Sequence, residues 1–125
     1  MDIVLKTFWP MICGSVRAHV KTMGASSSQF AVDLMIQVVE RFCSLPEPAT
    51  REELAARQAQ QITVGGVIGT LAHADSMLKM TPTAANEIAA EMKSFAERDL
   101  TAQTPIDQIA FGSNIWVICT RHRNN

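Results

Sequence analysis

The chain has 125 residues, 47% of them hydrophobic and 18% charged, and its 11 Lys and Arg nearly balance 12 Asp and Glu for a net charge of −1. That length fits a single helical domain, 1–125, with apolar content enough for a core, which excludes disorder as the resting state. The near-neutral balance argues against a protein held to nucleic acid or a membrane surface by bulk charge, and five Phe, two Trp and no Tyr suit helices better than sheet.

In chain order, Val4, Phe8, Met11, Ile12, Val16, Val20 and Met23 repeat every three or four residues, as one face of a helix does. Pro10 lies inside this pattern and removes the bond to the Lys6 carbonyl. Two readings follow: a kinked helix throughout, or a helix from Pro10 with residues 3–9 extended. Gly24 marks the stop. Ser26, Ser27 and Ser28 offer N-caps for a second helix, whose stripe runs from Phe30 through Leu34, Met35, Val38 and Val39 to Phe42. Leu45-Pro46-Glu47-Pro48 ends it.

Thr50 and Glu53 form a capping box that opens a third helix. Its first half is polar; its second, residues 62–74, is apolar on all sides and predicts a buried central helix. Gly65, Gly66, Gly69 and Ala72 make a seam of small residues there, or Gly65-Gly66 breaks the helix. Thr81-Pro82 starts a fourth helix lined by Ala85, Ile88, Ala89, Met92, Phe95 and Ala96 through to Leu100. Thr104-Pro105-Ile106-Asp107 starts a fifth, which Gly112 cuts short. Residues 115–120, IWVICT, read as a strand or as a last turn capped by Ser113. The fold class is all-α: a four- or five-helix bundle around 62–74, with short terminal strands as the variant.

Several function classes fall away. The apolar run 62–74 is 13 residues long, and a membrane span needs about 20. Asp2 before, and Pro10 and Gly14 within, the first apolar stretch do not make a signal peptide. Cys13, Cys43 and Cys119 are odd in number and widely spaced, which fits free thiols in a reducing cytoplasm. A helix-turn-helix built from the third and fourth helices fails on charge, because Glu87, Glu91 and Glu97 would face phosphate. Cys119 and His122 have C-x-x-H spacing, and Glu87 and Glu91 share a face with His73 and Asp75 in reach, but neither set makes a ligand shell. His73, Asp75 and Ser76 are too close along one helix to act as a triad. No metal, cofactor or membrane is expected. Of the seven methionines, Met11, Met35, Met77 and Met92 fall on apolar stripes and read as core filling.

Charge is uneven along the chain: residues 1–24 carry +2 and 104–125 carry +1, with acidic stretches between. Arg17, His19, Lys21, Arg121, His122 and Arg123 would together form a basic patch if the chain ends meet. The leading expectation is a small cytoplasmic, non-enzymatic adaptor, inhibitor or regulator that acts by protein–protein contact. It self-associates as a homodimer through Gly65, Gly66, Gly69, Ala72 and Trp116. The alternative is a regulator that binds nucleic acid or another acidic ligand through the basic ends.

Overall fold

Three of the helices start where a side chain takes up backbone amides that have no partner within the helix. The computed structural model describes residues 3–97 and 105–123. Among them are five helices: α1 (Ile3–Gly24), α2 (Gln29–Cys43), α3 (Arg51–Leu78), α4 (Pro82–Glu97) and α5 (Pro105–Arg121). Of the three serines before α2, Ser28 is the cap, its Oγ accepting from Ala31 N at 3.3 Å. Thr50 Oγ1 accepts from Glu53 N at 3.1 Å, and the Glu53 carboxylate accepts from Ala49 N at 2.6 Å, one residue ahead of the usual capping-box partner. Thr81 Oγ1 accepts from Ala84 N at 3.2 Å and donates to the His122 carbonyl at 3.0 Å, so the start of α4 is tied to the end of α5. The cap expected at Thr104, and the stretch of the fourth helix out to Leu100, lie outside the described residues.

α3 is the hub, packing against α1, α2 and α5, while α4 bridges α2 and α5. The core draws on every helix: Trp9, Val16, Leu34, Phe42, Ile68, Leu71, Ile88 and Ile115 are all buried. Trp9 meets Phe42 edge-on at 5.3 Å between ring centroids, and the Arg57 guanidinium lies over the Trp9 ring at 5.8 Å from its centroid. At the C-terminus of α3, Lys79 adopts φ 54° and closes the helix by donating its N–H to the Asp75 carbonyl at 2.9 Å. A glycine would take that left-handed conformation with less strain.

The structure decides three open alternatives and corrects two expectations, the shortness of the fifth helix and the burial of 62–74 on all sides. Residues 3–9 are helical, not extended: Pro10 sits on the exposed side of α1, so the lost bond at the Lys6 carbonyl faces water, while Leu5 and Trp9 hold the first turns in the core. α3 does not break at Gly65-Gly66, since Val64, Val67, Ile68 and Leu71 pack inward on either side and offset the glycines' low helix propensity. α5 continues past Gly112 to Arg121, so 115–120 is not a strand. Phe111, Ile115, Ile118 and Cys119 bury one helical face at the spacing of 3.6 residues, and burial in that phase overrides β-branched propensity. Finally, residues 62–74 are not buried on all sides: Ile62 is 76% exposed, and Gly66 and His73 face solvent with it.

Candidate functional site

That uncovered side of α3 follows from helical phase. Ile62, Gly65, Gly66, Gly69, His73 and Met77 recur every three or four residues and share one face. The opposite face, with Val64, Val67, Ile68, Leu71 and Ala74, is in the core. Two neighbours border the open face. On one side Gln61 Nε2 donates to Ser15 Oγ of α1 at 3.4 Å. On the other, Thr70 approaches Gly112 of α5, where an added Cβ would lie 3.6 Å from the threonine methyl. One turn on, His73 and Trp116 meet edge-on with ring centroids 5.3 Å apart.

Between α3 and α5 lies a groove of about 400 Å³ lined by Thr63, Gly66, Thr70, Gly112, Ser113 and Trp116. A Cβ built on Gly65, Gly66 or Gly69 meets nothing within 4 Å, so no helix among the described residues uses the closeness those glycines allow. Ala72 and Trp116 are half-buried at the margins. Ile109 beside the groove is 68% exposed and Met77 at the far end of α3 is 60% exposed. Met11 is likewise exposed, whereas Met35 and Met92 fill the core, so the methionine stripe divides in two. Within 58–78 the one formal charge is Asp75, and it points inward.

The basic residues are placed differently. Arg17 makes a two-pronged pair with Glu40 of α2, at 3.1 and 3.2 Å. Arg121 and His122 share Glu87 of α4, each at 2.6 Å. α1 packs on α2 and α3, and α5 on α3 and α4, so each basic end meets its own carboxylate on a different neighbour. His19 is half-buried, while Lys21 and Arg123 are exposed. Among the described residues no three of His, Cys, Asp and Glu gather as metal ligands do. The Cys119 thiol is 1% exposed, and burial pushes its pKa up, with the Asp75 charge adding to the shift.

One polar centre was not read from the sequence. Asp75, 7% exposed, accepts from Ser28 N at 2.8 Å, Ser28 Oγ at 2.6 Å and Met80 N at 3.2 Å. It therefore joins the start of α2 to the end of α3 and the loop into α4. The signal available was an acidic residue on the inward phase of an apolar helix, which must find donors or be expelled.

No family model matches the chain, and no curated protein or solved structure is significantly similar to it. No helix among the described residues is long and apolar enough to cross a membrane.

Proposed function

We propose that this protein acts through protein–protein contact without catalysis, as a cytoplasmic homodimer joined across the open face of α3. The carrying observation is that Gly65, Gly66 and Gly69 leave open space where a Cβ would stand, beside an Ile62 that is 76% exposed. Small residues in a row let a second backbone approach, and glycines inside a helix are otherwise a liability of about 1 kcal/mol each. A second copy is the partner that suits this face. Across a twofold axis each residue near the axis meets its own duplicate, so a charged face repels itself and an uncharged one does not. The exposed stripe of α3 from Gln58 to Met77 carries no Asp, Glu, Lys or Arg. The reading through the basic ends has less support, because Arg17, Arg121 and His122 already have carboxylate partners.

Native mass spectrometry and sedimentation of the wild type and of Gly69→Leu test the proposal. A Cβ at Gly69 meets nothing within 4 Å, so the variant should keep its helical spectrum. A wild-type dimer that becomes a folded monomer on substitution is the expected result. A wild-type monomer at tens of micromolar, or an unchanged dimer in Gly69→Leu, overturns it.

A further inference from the structure

A pair of cysteines remote in sequence lies on the two helices that form the α1–α2 seam. α1 and α2 run antiparallel, as three cross-contacts show: Trp9 with Phe42, Arg17 with Glu40, and Gly24 with Val32. In that register Cys13, one turn from both Trp9 and Arg17, falls opposite Cys43, which follows Phe42 at the end of α2. Cys13 is buried and Cys43 half-buried. The Arg17 guanidinium lies within electrostatic reach of both sulfurs.

We propose that Cys13 and Cys43 are a latent redox dithiol that closes into an α1–α2 disulfide when the protein meets a low-molecular-weight disulfide. Cys43, the more accessible, loses its proton to solvent and attacks one sulfur of glutathione disulfide. The reagent's S–S bond breaks, one glutathione leaves as thiolate and takes up a proton, and the other stays on Cys43. Cys13 then gives up its proton and attacks Cys43 Sγ, forming the Cys13–Cys43 bond and expelling the second glutathione. The chain has lost two electrons and two hydrogens, and the reagent has gained them as two thiols. Cys119 does not compete, since it is buried on α5.

The setting keeps the pair reduced until challenged. Burial, then the neighbouring Cys13 thiol, pushes Cys43 up to about 12, and the Arg17 cation opposes this only weakly. Glu40, on the same helix as Cys43, takes the hydrogen bonds of Arg17. The other cations nearby are engaged: Arg41 donates to the Met92 carbonyl of α4, and Arg57 of α3 is directed at Gln60, the Pro46 carbonyl and the Trp9 ring.

The test incubates the folded full chain with glutathione disulfide at pH 7 to 9, quenches in acid, and reads intact mass and non-reducing peptide maps. The expected product has lost two hydrogens, retains no glutathione and yields a Cys13–Cys43 linked peptide. Its rate rises about tenfold per pH unit, following the thiolate fraction. Cys13→Ser or Cys13→Ala stops at a glutathione adduct on Cys43, Cys43→Ser forms no link, and Cys119→Ser closes like wild type. Glu40→Gln closes faster at a given pH, because Arg17 is freed to favour thiolate. A lasting adduct on wild-type Cys43, a link between chains, or a folded protein inert across this pH range overturns the proposal.

Discussion

Helix α2 and the second half of α3 are both rich in large apolar residues, yet they occupy their surroundings differently. α2 has α1, α3 and α4 around it, and its stripe of Ala31, Leu34, Met35, Val39 and Phe42 is buried. α3 has α1, α2 and α5 around it, and still leaves Ile62, Gly66, His73 and Met77 outside. An amphipathic helix states its inward direction through its polar side, whereas a helix apolar on every side states none. Its neighbours decide how much of it is covered. The remainder of α3 is left uncovered by the described helices.

Substitutions can separate the two regimes. The largest effect is expected at the polar node that fixes where α2 and α3 meet. Asp75→Ala strands the amide and hydroxyl of Ser28 and the Met80 amide, and should destabilise the fold by about 3 kcal/mol in urea titrations. Asp75→Asn, which keeps one acceptor oxygen, should cost less. A pair on α3 itself comes next. Ile68, fully buried, should lose about 3 kcal/mol on truncation to Ala. Ile62→Ala, on the open face, should stay within about 0.5 kcal/mol in the monomer while weakening self-association. Equal losses at the two positions would mean that the open face is covered.

A smaller effect of opposite sign is expected at Gly66→Ala. The new methyl has free space and the helix gains propensity, so the monomer should be stabilised by roughly 1 kcal/mol in thermal melts. Any contact through this seam should weaken at the same time, which makes opposite changes in melting temperature and dimer affinity a sharp signature. The smallest effect lies on the other side of the molecule. Arg17's hydrogen bond holds the Glu40 carboxyl below its ordinary value of 4.5. Its contribution is present above that value and is lost as pH falls through the lowered folded value. Both groups are in water, so the acid limb of the stability curve should differ only slightly between wild type and Glu40→Gln, and the difference should shrink in high salt.

The helix starts at Thr50 and Thr81, and one within Ser26–Ser28, were legible in the sequence because capping is a local interaction between a side chain and amides two or three residues away. The stripe of α2 was legible for the same reason: its phase is written within a few turns. Pro10 and Gly65-Gly66 left two readings open and Gly112 misled, because each is a local breaker whose penalty is one to a few kcal/mol and is outweighed by residues packed on either side. The candidate face was half legible. Its small residues could be named from the sequence, but whether another helix of the same chain fills them depends on where α1 and α5 come to rest.

Thus the sequence by itself determined an all-helical chain, the sites where three of its helices begin, and the inward direction of α2, all from interactions spanning one or two turns. Only the tertiary structure decided that α3 is covered on three sides and open on a fourth, that Asp75 holds the Ser28 cap of a neighbouring helix, and that the register of α1 on α2 sets Cys13 opposite Cys43. Those are contacts between residues tens of positions apart. Their geometry is set by how whole helices pack, which no short stretch of sequence encodes.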